Sequence, residues 1–272
     1  MMIQARFSWF LVLVLVLFSA APAFAAGISL PGGLSRFSAL DPGGKTIGKI
    51  LVRNGSSETQ TVKVYQTDYL FYADGRNVYG KSGTDPRSNA SWITFSPQRL
   101  TIPPQEIGEI NYVVQAPKDS KLSGAFWSIM MIEPLGKDSP EVTNKPGKIQ
   151  VGISTVVRYA VQIITTLGDV GERKVKFIDK QLIQDGEDRI LQVDLENIGK
   201  GWLTPTVWAE LFDEKGVSIG RFEGGRVRIF PTCSARFRVN LSDAPKGKYS
   251  ALVVADNGDD NVFGAKYQLE VP

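Results

Sequence analysis

The side chains that carry most enzymatic chemistry are scarce in this sequence. It contains no histidine and a single cysteine, Cys233. The composition therefore excludes Ser-His-Asp and Cys-His triads, histidine-ligated metals and an intramolecular disulfide. The carboxylates are scattered through predicted turns, and no pair of them is marked as a general acid and base. We expect a protein that is not an enzyme and that holds no cofactor or metal.

Two polar features in the last forty residues could still take part in chemistry, one as a reactive thiol and the other as a cation site. Cys233 falls in a predicted turn, where the free thiol of an exported protein is able to pair with a second chain. This leaves self-association open. Residues 256–261 read Asp-Asn-Gly-Asp-Asp-Asn, but they lack the regular odd-position ligands and the closing glutamate of an EF-hand calcium loop. A polar hairpin tip is the simpler interpretation of this segment.

The strongest binding signal is a long alternating strand in the middle of the chain. From Ile149 to Ile163, every second residue is in turn Ile, Val, Ile, Thr, Val, Tyr, Val and Ile. This period of two predicts a strand with one apolar face, about twice as long as a typical strand of ~5–6 residues. If the row is exposed at a sheet edge, it needs a partner strand to cover it. If it is covered along its whole length, it is ordinary core.

The N-terminal residues predict export. Arg6, the apolar stretch 7–20 and the small residues of Ala-Phe-Ala at 23–25 have the pattern of a cleaved signal peptide, residues 1–25. No later stretch is apolar enough to span a bilayer. Removal of the leader takes one charge, Arg6, from a formal net charge of +3 and leaves +2. A weak net charge without a clustered basic face gives no reason to expect nucleic-acid binding.

Short β-rich segments separated by turn residues dominate the rest of the chain, and no window has a helical period. The same order of strand segments and turn residues occurs in both halves of the chain. In each half it includes a strand that ends in Asn, ILVRN at 50–54 and VDLEN at 193–197. We predict an all-β protein with two tandem immunoglobulin-like sandwiches, residues 26–167 and residues 168–272. Three tryptophans bear on this packing, with Trp127 and Trp208 expected in a core and Trp202 partly exposed.

Residues 28–166 resemble the N-terminal domain of periplasmic pilus-assembly chaperones of the PapD type. Arg36 in a first strand is followed by DPGGK at 41–45 and then by ILVRN at 50–54. WITFSPQRLTIPP at 92–104 looks like the Pro-x-x-x-x-Leu-x-Pro segment of the family, and AFWSIMMIEP at 125–134 is similar to its Phe-Trp strand. The sequence departs from the family after the long strand, where the family's Arg-Pro is absent.

The resemblance implies a mode of binding and a set of residues for it. In the family, the long strand completes the unfinished sandwich of a pilus subunit by strand addition. The donor residues would be Ile149, Val151, Ile153, Thr155 and Val157. Two basic residues in the cleft between the domains hold the carboxylate at the end of the subunit. By position, Arg36 and Arg158 are the candidates for that anchor.

The sequence therefore favours an exported chaperone-like protein that binds or caps protein subunits of a fimbrial-type surface structure. Its expected location is the periplasm, with secretion or the cell surface as the alternative. A structural or adhesive envelope protein with the same fold and no client is the second hypothesis. A carbohydrate-binding or carbohydrate-processing module is disfavoured by the lack of histidine and of a clear carboxylate pair.

Overall fold

The computed structural model describes residues 27–119, 121–135, 157–170 and 172–272. Within these ranges the chain is all-β, as the sequence predicted, with seventeen strands and one short 3-10 helix, Ala90–Trp92. None of the described helical residues forms a segment long and apolar enough to cross a lipid bilayer. The predicted leader, residues 1–25, lies outside the described part of the chain.

Ten strands build the first half of the molecule. They are β1 (Ile28–Ser29), β2 (Ser35–Leu40), β3 (Lys45–Asn54), β4 (Gln60–Phe71), β5 (Asn77–Gly80), β6 (Ile93–Ser96), β7 (Arg99–Ile102), β8 (Ile107–Gln115), β9 (Gly124–Leu135) and β10 (Tyr159–Leu167). Seven strands build the second half. They are β11 (Val175–Asp185), β12 (Asp188–Asn197), β13 (Thr206–Phe212), β14 (Ser218–Arg226), β15 (Ser234–Asn240), β16 (Gly247–Asp256) and β17 (Val262–Val271).

The first half is a sandwich of two sheets. One sheet has the order β1-β3-β8-β6, and the other has the order β2-β10-β9-β4-β5, with β7 paired to the start of β4. Alternate residues of each strand point into the space between the sheets, such as Ile50 and Val52 of β3 and Ile110 and Val114 of β8, which are all buried. This alternation is the pattern of antiparallel strands that cover a core with one face.

The N-terminal strand of this sandwich is divided between its two sheets. β1 pairs with β3 in one sheet, whereas β2 runs parallel to β10 in the other. The chain changes sheet at Gly32 and Gly33, whose φ angles of 104° and 77° lie in the region that favours glycine. The switch ties the two sheets together at one edge of the sandwich.

The second half is a second sandwich, with strand orders β11-β12-β15 and β14-β13-β16-β17. Its core includes Leu191, Val193 and Leu195 of β12, which pack in one cluster with Val207 and Leu211 of β13. The predicted fold class is thus confirmed. No ladder of described residues pairs a strand of β1–β10 with a strand of β11–β17, and the domain limits 26–167 and 168–272 stay predictions.

The two halves share a buried asparagine at the same place in their strand order. Asn54 ends β3, and its amide nitrogen donates to the carbonyls of Glu58, Ile102 and Pro103 at 2.7, 3.0 and 3.0 Å. Asn197 ends β12, and its amide nitrogen donates to the carbonyls of Gly201 and Ile229. Both side chains are fully buried. Each side chain donates to backbone carbonyls close to the end of a strand, which accounts for the Asn shared by the two sequence repeats.

Asn54→Ala should lower the free energy of unfolding by about 2–3 kcal/mol, because it leaves buried carbonyls without a donor. Urea unfolding followed by circular dichroism measures the change. Asn111→Ala on β8 is the matched control, since that side chain is exposed and its removal should change stability by no more than about 0.5 kcal/mol. Equal midpoints for the two variants would contradict the role assigned to Asn54.

Candidate partner-binding edge and junction

The first feature of the site is an open edge at the start of β10. β10 pairs with β9 over its whole length, from Tyr159 to Leu167. On its other side, β2 covers only Gln162 to Leu167. Within the described residues, the edge of β10 at Tyr159–Val161 therefore has no strand beside it. Backbone donors and acceptors at such an edge are available to a partner strand.

The sheet switch creates this opening. The last backbone contact on the β2 side is the Gln162 N–H, which donates to the carbonyl of Leu34 at 2.8 Å. Before Leu34 the chain turns at Gly32 and Gly33 and leaves for the other sheet. The Tyr159 side chain spans the gap, because its hydroxyl donates to the carbonyl of Ile28 in β1. β2 thus covers β10 from Gln162 to Leu167 and leaves its first three residues, Tyr159–Val161, without a neighbour on that side.

The predicted donor residues come immediately before this open edge. Ile149, Val151, Ile153 and Thr155 lie outside the described residues. Val157 is described, precedes the first residue of β10 and has 58% of its surface exposed. Its apolar side chain is uncovered at the position where the open edge begins, and the role of the five residues as donors stays a prediction.

The structure does not bring Arg36 and Arg158 together. Arg36 is paired in register with Ile163, so the two arginines are separated by five strand positions, about 17 Å. They also lie on opposite faces of the sheet. Ile163 lies on the same face of the sheet as Arg36 and packs in the core between the two sheets. Arg158 is an even number of positions from Ile164 and so lies on the other face, where Ile164 packs against the second half.

Each arginine has local partners of its own. Arg36 donates to the carbonyl oxygens of Gly32, Gly33 and Ser35 at 2.8, 3.2 and 3.1 Å, and so fixes the turn at which the chain changes sheet. Arg158 forms a salt bridge with Glu133 at 2.9 Å. The two residues therefore hold the two sides of the open edge, and they do not form a joint carboxylate site.

The junction between the halves is built on the outer face of the β10 sheet. Trp127 of β9 stacks on Phe230 of the second half, with ring centroids 4.6 Å apart and planes 13° from parallel. The indole N–H of Trp127 donates to the carbonyl of Tyr69 at 2.7 Å. Trp127 and Ile164 belong to the same buried cluster as the core of the second half. The hydrophobic core is therefore continuous across the junction.

The backbones also approach each other closely at the junction. The Ala125 N–H donates to the carbonyl of Lys200 at 2.8 Å, and the Ala73 N–H donates to the hydroxyl of Ser234 at 2.9 Å. A Cβ at Gly124 would lie 2.4 Å from the Lys200 oxygen, and the φ of Gly124 is +94°. Glycine is required there both by the close contact and by its conformation.

A cation that the sequence did not single out lies beside the end of the open edge. The guanidinium carbon of Arg228 lies 4.6 Å from the ring centroid of Phe37 and 5.5 Å from that of Trp202. Its Nη1 is 3.4 Å from the hydroxyl of Ser35, and Ser35 is the register partner of Gln162. Arg228 therefore lies where β2 begins to cover β10.

The charge of Arg228 is only partly compensated. The side chain is half-buried, and burial lowers its pKa, although an arginine remains protonated at physiological pH. Its Nε is buried without a hydrogen-bond acceptor, and no carboxylate of the described residues forms a salt bridge with it. Phe37, over whose ring the guanidinium lies, is about half exposed, at 51%. The end of the open edge thus combines an apolar surface with an unpaired cation.

A buried carboxylate supports the strand that carries Trp127. β4 separates from β9 after Thr67, and the loop that contains Arg87 takes its place, so that the Trp127 N–H donates to the Arg87 carbonyl. Asp68 holds this loop, because its carboxylate accepts hydrogen bonds from the N–H groups of three consecutive residues, 83–85, and from the hydroxyl of Ser88. Burial alone would raise the pKa of Asp68, but the hydrogen bonds outweigh it and hold the pKa below its usual range.

The structure answers one question that the sequence left open, on Cys233, and corrects one expectation, on Trp208. Cys233 is fully buried, and burial raises the pKa of its thiol to about 12, so it is unavailable for a disulfide between folded chains. Trp208 was expected in the core, but it lies half-buried on the outer face of β13, because Val207 and Ala209 occupy the inner face. The guanidinium of Arg221 covers its ring at 3.8 Å.

The other local expectations are confirmed. Trp127 is buried and Trp202 is half-buried. The acidic segment 256–261 is the polar turn between β16 and β17. Its Asp259 is engaged by Asn257, Asn261 and Arg173.

Comparison with known proteins finds relatives of the fold and none by sequence. No protein-family model matches the chain, and no curated protein matches it. The class 5 fimbriae chaperone CfaA is a similar solved structure, with a TM-score of 0.46 and 14% identity over 90% of this chain and 100% of that one. For the CsuC–CsuE chaperone–adhesion subunit complex of Acinetobacter baumannii, the TM-score is 0.45 and the identity is 11%, over 90% of this chain and 98% of that one. For the E. coli chaperone DraB, the TM-score is 0.41 and the identity is 13%, again over 90% of this chain and 98% of that one. The similarity of the chain to these chaperone structures is one of fold.

Cys233 should not react with a thiol reagent such as DTNB in the native protein, and one equivalent per chain should react after unfolding. The reason is that the thiol is buried and protonated. Val217→Cys, in an exposed turn, is the control and should add one fast equivalent in the native state. Fast reaction of the wild-type protein would contradict the closed junction.

Removal of the Asp68 charge should weaken the acid sensitivity of the fold. The folded-state pKa is depressed, so this carboxylate stabilises the fold above the unfolded-state pKa of about 3.9, and the contribution is lost as the pH falls through the folded-state value. Unfolding free energies of the wild type and Asp68→Asn, measured from pH 6 downward, should therefore converge in acid. Asp119→Asn, which removes an exposed carboxylate, is the matched control. A constant difference between wild type and Asp68→Asn at every pH would contradict the assignment.

Proposed function

We propose that this chain is a non-enzymatic, chaperone-like protein of the bacterial periplasm that binds subunits of a fimbrial-type surface structure by β-strand addition. The observation that carries the proposal is the open edge of β10 at Tyr159–Val161. It directly follows the alternating row of the sequence. Going back along the chain, the side of β10 that pairs with β2 at Gln162–Leu167 becomes unpaired at Tyr159–Val161 and leads into residues 149–157, the predicted donor strand.

Strand addition explains why an apolar row is placed next to an unpaired edge. Backbone hydrogen bonds to the partner strand supply affinity, and alternating side chains that enter pockets of the partner supply selection. Each apolar side chain that becomes buried contributes about 1.5–3 kcal/mol. The five donor residues Ile149, Val151, Ile153, Thr155 and Val157 therefore provide enough apolar contact to hold a client that lacks one strand of its own sandwich.

Arg228 is the best-placed anchor for the end of such a client strand. A strand that pairs with β10 along its open edge must stop where β2 begins, which is at Gln162 and Ser35. Arg228 contacts Ser35 at that point and has no carboxylate partner among the described residues. A terminal carboxylate at the end of the client strand would supply the missing charge-assisted hydrogen bonds. Arg36 and Arg158, in contrast, already serve the turn and Glu133.

The predicted leader and the chaperones of similar fold agree with a periplasmic location. The alternative, a structural or adhesive envelope protein without a client, differs in one respect that can be measured. In that case the row at 149–157 is covered within the same molecule, and no other protein is held at the β10 edge.

Native purification from the cell envelope, followed by mass spectrometry, tests the proposal. The wild-type protein should bring with it a small β-rich subunit in near-stoichiometric amount. Val151→Asp/Ile153→Asp should abolish recovery of the subunit, because two carboxylates cannot enter apolar pockets without a large desolvation cost. Gln150→Asp/Ser154→Asp, on the alternate face of the same segment, should retain it. Thermal unfolding establishes that both double variants are folded.

Arg228→Ala should weaken subunit binding about tenfold or more, since it removes a charged partner from a partly desolvated contact. Arg226→Ala is the matched control, because Arg226 is exposed and only two residues away. A clean monomer from wild-type cells, or subunit binding that survives Val151→Asp/Ile153→Asp in a folded protein, would overturn the proposal in favour of a structural role.

A further inference from the structure

A second unpaired edge lies in the second half of the molecule, at β17. β17 is the last strand of the order β14-β13-β16-β17, and no strand of the described residues pairs with its outer side. It is ten residues long and pairs with β16 at every position from Val262 to Val271, without a bulge. A long and regular edge strand is a template for another strand.

Two other edge strands of this sandwich, β11 and β14, are protected in the ways that sheet proteins use against pairing. β11 carries a bulge between Phe177 and Asp179. β14 has two register shifts against β13 and exposes the charged residues Arg221, Glu223 and Arg226. Bulges and charges of this kind prevent edge-to-edge association. β17 has no bulge, and its charges do not prevent association, because they are complementary to each other.

The solvent face of β17 carries one positive and one negative side chain, Lys266 and Glu270. Neither forms a salt bridge within the described residues. Lys266 lies opposite the exposed Leu252 of β16, and Glu270 lies opposite Lys248. The strand therefore presents a cation and an anion four positions apart, each with room for a partner on its open side.

An antiparallel pair of β17 strands centred on Gln268 satisfies both charges at once. In this register, Lys266 of each copy lies opposite Glu270 of the other, and Gln268 lies opposite its own counterpart. On the inner face, Tyr267 lies opposite Leu269, an aromatic–aliphatic pair of the kind that stabilises sheets. A register centred on Lys266 would place two lysines opposite each other, and one centred on Tyr267 would pair no opposite charges.

We propose that β17 binds β17 of a second copy of this chain, in the register centred on Gln268. The product is a two-fold symmetric dimer with an eight-stranded sheet that continues from one copy to the other. Its charges form a cross-strand ladder in which Glu270 lies between Lys248 of its own sheet and Lys266 of the second copy. The contact is isologous, so it closes on itself and stops at two copies.

Charge reversal tests the register. The mature wild-type protein should show a concentration-dependent dimer by sedimentation equilibrium. Lys266→Glu and Glu270→Lys should each weaken the dimer by about tenfold or more, because each places two pairs of like charges opposite each other. Lys266→Glu/Glu270→Lys should restore the wild-type dissociation constant, which also shows that the reversed side chains are compatible with the fold.

Cross-linking gives an independent readout. The native cysteine is buried, so Gln268→Cys places one accessible thiol at the two-fold axis. Directly opposed residues of an antiparallel pair lie about 4.5–5.5 Å apart at Cα, within reach of a disulfide. Gln268→Cys should form a covalent dimer under mild oxidation, whereas Val262→Cys, exposed on the same face of the same strand, should not.

A wild-type protein that stays monomeric at its highest soluble concentration would overturn the proposal. So would a dimer whose dissociation constant is the same in both single charge reversals, or equal cross-linking of Gln268→Cys and Val262→Cys. The subunit-binding segment 149–157 is unchanged in all of these variants. Their outcome is therefore independent of the proposed client binding at β10.

Discussion

The hydrogen bond from the Gln162 N–H to the Leu34 carbonyl marks the constraint on which the site depends. It is the last backbone bond between β10 and the N-terminal strand. Immediately before Leu34, that strand crosses from the other sheet at Gly32 and Gly33, which both have positive φ angles. A first strand that continued beside β10 would close the sandwich and leave no edge for a partner. The division of the N-terminal strand between two sheets is therefore the reason that Tyr159–Val161 of β10 has no neighbouring strand on one side.

The same switch couples the edge to the junction. β2 brings Ser35 and Phe37 to the outer face of the sheet, where both meet Arg228 of the second half. The stack of Trp127 on Phe230 and the shared buried cluster then hold the second half against that face. A cation from one half is therefore fixed at the end of an edge that belongs to the other. Its position depends on the continuity of the core across the junction, because two halves joined by a linker alone would not hold it there.

Sequence reasoning reached the features that depend on local pattern. The period of two identified the strand that became β10, the repeated strand-end asparagines were a true structural repeat, and Trp127 was recognised as core. It failed where pairing between distant segments decides. Arg158 lies within the long strand and Arg36 lies in the first strand of the chain, and only the register of β2 against β10 shows that the two occupy opposite faces of the sheet. The sequence does not single out Arg228, because its contacts come from residues that lie more than twenty positions away and only the folded chain assembles them.

The two unpaired edges have different chemistry, and this difference argues for different partners. The row that leads into β10 is apolar at nearly every second position, so it gains free energy only where a partner offers apolar pockets, as an incomplete sandwich does. The solvent face of β17 is polar and self-complementary, so the strand that fits it best is its own copy. Under the two proposals, the first edge selects its partner by burial and the second by charge. A chain that left both edges apolar would have no means to keep a client strand from pairing at the wrong one, and proteins with exposed edges generally carry features that disfavour the wrong partner.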